Sequence, residues 1–178
     1  MNYLNEQKNM QFWQGTIITK LAQNEVFVYG SNPQGINGAG GAKAAMMLSK
    51  NFEPAKHGIG RGFNGSNTYA LVTKSLNAGF LEKSTGILYD QEGYRSVSIE
   101  QIRSNIDELY ECAKLNPDKN FLISFQYETW PNGTPKKSLN GYTSQEMLNM
   151  FVQDKAIPPN IVFHESYKSH LEKLFQNK

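Results

Sequence analysis

Residues 30–41, Gly30-Ser31-Asn32-Pro33-Gln34-Gly35-Ile36-Asn37-Gly38-Ala39-Gly40-Gly41, form a glycine-rich loop between two segments of opposite character. Before it, Glu25-Val26-Phe27-Val28-Tyr29 is β-branched and aromatic, the composition of a strand covered on both faces. After it, Ala42-Lys43-Ala44-Ala45-Met46-Met47-Leu48 is a run of helix formers without a breaker. A strand, a glycine turn and a helix in succession commit the chain to an α/β architecture. They also aim backbone N–H groups and the positive helix end, about half a charge, at one point. Phosphate is the natural ligand of such a point.

The loop departs from the common phosphate-binding motifs. No Gly-Lys-Ser/Thr follows at Walker A spacing, and the glycines are misplaced for Gly-x-Gly-x-x-Gly, which disfavours ordinary nucleoside triphosphatases and nicotinamide dehydrogenases. The competing structural reading is that these glycines only permit a tight strand-to-helix turn.

The rest of the chain alternates in the same way. Residues 16–19 read as a short strand. A second glycine-rich loop, residues 58–65, precedes a strand at 68–73, and residues 77–93 read as irregular. Ser98-Ile99-Glu100-Gln101 has the form of a capping box; Ile99, Ile102, Ile106, Leu109 and Ala113 then recur at helical spacing until Asn116-Pro117. A buried strand is expected at 121–125, followed by a long loop at 126–142. Thr143-Ser144-Gln145-Glu146 is a second capping box, opening a helix with Met147, Leu148 and Phe151 inward; a strand at 160–163 and a helix at 166–175 close the chain. Strands alternating with helices predict a mostly parallel sheet flanked by helices.

At 178 residues one domain is expected, spanning 15–178 after a loosely held N-terminal segment at 1–14. The 39% apolar and 12% aromatic content excludes a disordered polar chain, and no apolar run approaches the roughly 20 residues that span a bilayer. The first residues carry no secretory signal pattern and Cys112 is the one cysteine, so a cytoplasmic protein without disulfides is expected. Cys112, near the inward face of its helix and without a basic neighbour in sequence, reads as a packing residue. His57, His164 and His170 lack metal-motif spacing, and neither a metal nor a cofactor is expected. A net charge of +2 with scattered lysines gives no nucleic-acid stripe.

The loop becomes more specific when read with its neighbours. Val28-Tyr29-Gly30-Ser31-Asn32 followed by Asn37-Gly38-Ala39-Gly40-Gly41-Ala42 resembles the first ligand loop of macrodomains, which bind ADP-ribose. Tyr69-Ala70-Leu71-Val72-Thr73-Lys74, with the capped helix from Ser98, resembles the branch of that family that removes terminal ADP-ribose from carboxylate side chains. Lys137-Ser138-Leu139-Asn140-Gly141-Tyr142 stands where the family carries its second ligand loop. Small bacterial and phage proteins carry similar loops.

The resemblance implies a three-layer α/β/α fold with a mixed, mostly parallel sheet, and a ligand held by two loops. Gly30, Ser31, Asn32, Asn37, Gly38, Ala39, Gly40 and Gly41 would come from the first loop, and Ser138, Leu139, Gly141 and Tyr142 from the second. Asn32 would meet a ribose hydroxyl, or else form a local turn; Tyr142 would stack on the ligand, or else pin its loop. Arg61, among the glycines of 58–65, is left outside the site as a solvated residue.

The expected function is binding of ADP-ribose or a related phosphate-bearing nucleotide, free or carried by an ADP-ribosylated macromolecule. A hydrolase of ADP-ribosyl esters or of ADP-ribose phosphate is the enzymatic alternative. There the resemblance makes Lys74 the nucleophile, which needs a lowered pKa, and puts Asn140 where the family has an aspartate; an amide is no carboxylate base. A protein-interaction module with a closed cleft is the third reading.

Overall fold

Alternation along the central strands sorts the buried side chains into two faces. In the strand Glu25–Ser31, Val26 and Val28 join one apolar cluster while Phe27 and Tyr29 join another. Tyr69 and Leu71 against Ala70, Phe121 and Ile123 against Leu122, and Ile161 and Phe163 against Val162 divide in the same way. This is the period-two pattern of a sheet covered on both sides.

The computed structural model describes residues 10–49 and 59–176. In order the elements are β1 (Phe12–Trp13), β2 (Glu25–Ser31), α1 (Gly40–Ser49), β3 (Gly62–Phe63), β4 (Thr68–Val72), β5 (Phe80–Glu82), β6 (Ile87–Tyr89), α2 (Ile99–Leu115), β7 (Asn120–Ile123), α3 (Ser144–Val152), β8 (Ile161–His164) and α4 (Lys168–Gln176). Six strands form one sheet in the order β1-β8-β7-β2-β4-β3, parallel throughout except for β3, which runs antiparallel to β4. β5 and β6 form a separate antiparallel hairpin. Helix α1 packs with the Phe27 and Tyr29 face, and the buried residues of α2, α3 and α4 pack with the other. The fold is therefore α/β in three layers.

Both capping boxes are made. Ser98 Oγ accepts from Gln101 N while the Gln101 side chain accepts from Ser98 N; Thr143 and Glu146 do the same at α3. Ile102, Ile106, Leu109 and Ala113 are fully buried, and each of the three larger ones contributes roughly 1.5–3 kcal/mol by leaving water. Ile99, at the first helical position, is instead exposed.

Three local expectations change. The first strand is Phe12–Trp13, not residues 16–19; these two residues pair with Phe163 and His164 of β8. They lie in the stretch read as a lead-in, of which residues 1–9 fall outside the described residues, as do His57 and Gly58. Within 77–93, read as irregular, lies the β5–β6 hairpin, in which Leu81 faces Leu88. A 3-10 turn at Glu165–Tyr167 precedes α4.

Candidate functional site

Chain order and sheet order together create a crevice. The connection leaving β2 carries α1 over one face to β4, whereas that leaving β7 carries α3 over the opposite face to β8. β2 and β7 are neighbours, so their carboxyl ends part at a topological switch point, where open α/β sheets bind ligands. A cavity of about 890 Å³ opens there. Its wall includes the β2–α1 loop, Thr73 and Lys74 beyond β4, residues 124–126 beyond β7, and residues 16–18 after β1.

The glycines of the first loop have separate reasons. A Cβ on Gly30 would come 3.0 Å from Phe125 Cζ, and one on Gly41 3.3 Å from Tyr29 Cβ, so both permit close packing. Gly40 has φ +55, and a Cβ there would lie 2.6 Å from Leu139 Cδ1. Gly38 meets only ordinary contact, with Ile36 Cγ2 at 3.9 Å; packing does not require it. Ala39, before α1, has no side-chain acceptor, and the first turn of α1 holds no acid. The positive end of that helix therefore meets the cavity without an anionic cap of its own.

Asn32 is buried, and its amide closes the loop on itself: Oδ1 accepts from Ile36 N at 3.0 Å and Nδ2 donates to Ile36 O at 2.9 Å. It lines the cavity while acting as the local turn former. Ser31 Oγ donates to Gly60 O at 2.8 Å, and a Cβ on Gly60 would come 3.0 Å from Pro33 O. The second glycine loop thus braces the first. Asn37 donates to Ala42 O at 2.7 Å and lies outside the cavity wall.

The 126–142 segment is more ordered than its composition implied. Thr129 bridges Pro135 and Lys137 bridges Thr143, both antiparallel, while Trp130 N donates to Thr134 O. Ser138, Leu139 and Asn140 line the cavity; Gly141 and Tyr142 do not. Tyr142 is 3% exposed, its hydroxyl donates to Val97 O at 2.6 Å, and the Arg95 guanidinium lies 4.7 Å from the ring centroid. It pins the loop, with no face left for stacking on a ligand. Gly141 has φ +87, and a Cβ there would meet Tyr94 Cβ at 2.7 Å. Asn140 is buried, with Nδ2 3.4 Å from Met147 Sδ and Oδ1 accepting from Tyr142 N.

Among the described residues two lysines, Lys74 and Lys137, and one carboxylate, Glu128, line the cavity. Lys74 Nζ also lies 5.8 Å from the Tyr94 ring centroid. Trp13, Phe27, Ile17, Ile18 and Ala44 supply an apolar stretch of wall. Trp13 is fixed by donating Nε1–H to Ile123 O at 2.8 Å and by packing on the His164 ring. Ser166 N donates to His164 Nδ1, so Nε2 carries the proton it shares with Gly15 O at 2.7 Å. Gln126 Nε2 donates to Thr16 O at 2.6 Å. These bonds hold the segment after β1 against the cavity.

Trp13, Phe125, Gln126 and Glu128 were not among the expected site residues. A signal for the last three existed: they fall in the segment that follows a buried strand, β7.

Arg61 is not solvated. It bonds Glu82 at 2.9 and 3.0 Å, Asn105 at 2.8 Å and Glu108 at 3.2 Å, tying the β5–β6 hairpin to α2. Burial alone would lower its pKa, but Glu82 and Tyr89 hold it raised. Burial pushes the Cys112 thiol up, as suits a packing residue. Among the described residues no group of His, Cys, Asp and Glu is arranged to hold a metal ion, and no helix is long and apolar enough to cross a membrane.

No protein-family model, curated protein or solved structure matches the chain.

Proposed function

We propose that this chain binds ADP-ribose or a related phosphate-bearing nucleotide in the cavity at the carboxyl ends of β2 and β7. The observation that carries this reading is the uncapped start of α1, with residues 38–41 and Lys74 on the wall of one cavity of about 890 Å³. That volume lies within the range of about 300–1,000 Å³ that encloses small-molecule ligands. Backbone N–H groups, a helix N-terminus and an ammonium supply what a phosphate needs, and the apolar wall around Trp13 offers room for a base. The macrodomain resemblance of the two loops points to the same class of ligand.

Binding is preferred to hydrolysis because the Asn140 amide is committed to Met147 Sδ and Tyr142 N, away from any role in activating water. The ligand is free or is the terminal group of an ADP-ribosylated macromolecule, and the chain acts as its reader. Calorimetric titration with ADP-ribose, AMP and inorganic phosphate tests this: saturable binding of the nucleotides, lost in Gly40→Glu, is expected. Absence of binding to all three overturns it.

A further inference from the structure

Among the described residues Glu128 is the one carboxylate on the cavity wall, set among Lys74, Lys137 and the hydroxyl-bearing Ser124, Ser138 and Ser144. Its backbone is fixed on both sides: Glu128 N donates to Ser144 Oγ at 3.0 Å and Glu128 O accepts from Lys136 N at 2.8 Å. The Ser144 hydroxyl is in turn held near Lys136 O and Gln126 O. Glu128 is exposed, and among the described residues no hydrogen bond or ion pair takes up its carboxylate. Glu128 thus brings an uncommitted carboxylate to the wall of a cavity whose other charged residues, among those described, are Lys74 and Lys137.

A carboxylate is acceptor-only and repels phosphate, whereas two adjacent sugar hydroxyls donate to its two oxygens. From the opposed charges we infer that Glu128 is a specificity-determining residue. It selects nucleotides whose diphosphate ends in a sugar, and disfavours those that end in a free phosphate. The inference deepens the nucleotide-binding reading and rests on it. The cations and the α1 N-terminus take the diphosphate, the apolar wall takes the base, and the polar wall beyond β7 takes the terminal sugar.

ADP-ribose and ADP are the probes, since they share base, first ribose and diphosphate and differ in the terminal sugar. Calorimetry on the whole chain compares wild type, Glu128→Gln and Glu128→Ala, with thermal melts confirming that each variant folds. Wild type is expected to bind ADP-ribose more tightly than ADP. Glu128→Ala is expected to lose about tenfold on ADP-ribose, the size of hydrogen bonds to a charged group, and to bind ADP no more weakly than wild type, because a charge that repels its terminal phosphate is gone. Glu128→Gln, which keeps one acceptor, falls between.

An unchanged ADP-ribose to ADP ratio in both variants overturns the inference, whether the two affinities fall together or neither falls. Equal loss on both probes would mean that Glu128 reads the shared base or first ribose. Wild type that binds ADP as tightly as ADP-ribose overturns the inference and leaves the phosphate site standing. Wild type that binds neither of these, nor AMP nor inorganic phosphate, overturns both.

Discussion

Leu139 Cδ1 lies 2.6 Å from where a Cβ on Gly40 would stand, so the glycine loop of residues 30–41 and the loop of residues 137–142 meet across the cavity rim at a residue without a side chain. Gly40 also adopts φ +55, a left-handed conformation that costs an L-residue about 1–2 kcal/mol. Gly40→Ala therefore carries a backbone cost and a contact cost, and a double-mutant cycle separates them. Leu139 is 59% exposed, and Leu139→Ala alone is expected to change stability by less than about 0.5 kcal/mol. Gly40→Ala is expected to cost about 1–2 kcal/mol when Leu139 is already alanine, because only the backbone term remains, and more than that in the native background, where the contact cost is added. Urea denaturation of the four proteins checks this; equal Gly40→Ala costs in both backgrounds would show that the loops do not touch in solution.

The ion pairs around Arg61 differ in depth. The Arg61 and Glu82 side chains are 14% and 6% exposed, whereas Glu108 is 53% exposed. Removing one member of a buried pair leaves a desolvated charge unmatched, at a cost of about 3–5 kcal/mol. Glu82→Gln is expected to approach that range, and Glu108→Gln to stay below about 1 kcal/mol. Chemical denaturation of the two variants provides the comparison, and similar losses from both would contradict the burial of Glu82.

Acid should find the same latch. Burial pushes the Glu82 carboxyl up, but hydrogen bonds from Arg61, Thr85 and Tyr89 and the Arg61 charge outweigh it and hold the group below its ordinary value of 4.5. Glu146 is lowered in the same way by Arg95 and its own cap against the push of burial. Between each folded value and the ordinary one the unfolded chain binds more protons. The stability that these carboxylates contribute is fully present above about pH 4.5 and is lost as the pH falls below it. The melting temperature is expected to fall steeply below pH 4.5 in the native protein and less steeply in Glu82→Gln. Parallel profiles would remove Glu82 from the acid response.

What the amino-acid sequence disclosed divides by the range of the forces involved. The β2–loop–α1 unit, both capping boxes and the α2 stripe from Ile102 onward are written in residues within one or two turns of each other, and form as expected. The position of β1 depends on pairing with β8, about 150 residues away, and nothing local to Phe12 announces it. Tyr142 looked like a stacking residue because an aromatic in a loop carries no mark of its destination; Val97 O, 45 residues distant, takes its hydroxyl. Asn32 was legible as one of two alternatives; its bonds to the Ile36 backbone make the local turn, and the residue also lines the cavity. The site is thus half visible: the glycine loop is local, whereas the β7 contribution, with Glu128, exists only once β2 and β7 are neighbours.

The two tryptophans report on different parts of the molecule. Trp13 is 9% exposed and lines the cavity, while Trp130 is 55% exposed on the loop hairpin, with Lys136 Nζ 4.7 Å above its ring. A buried indole emits at shorter wavelength than a solvated one, and a ligand that displaces cavity water perturbs only the indole beside it. Trp130→Phe, which leaves Trp13, is expected to retain blue-shifted emission that changes saturably on titration with ADP-ribose. Trp13→Phe is expected to emit as a solvated indole and to respond little. The Phe substitution at 13 also removes the Nε1–H bond to Ile123 O, a loss of about 0.5–1.5 kcal/mol, so its fold is checked by circular dichroism before titration. A response confined to Trp130 would move the ligand out of the crevice and onto the hairpin.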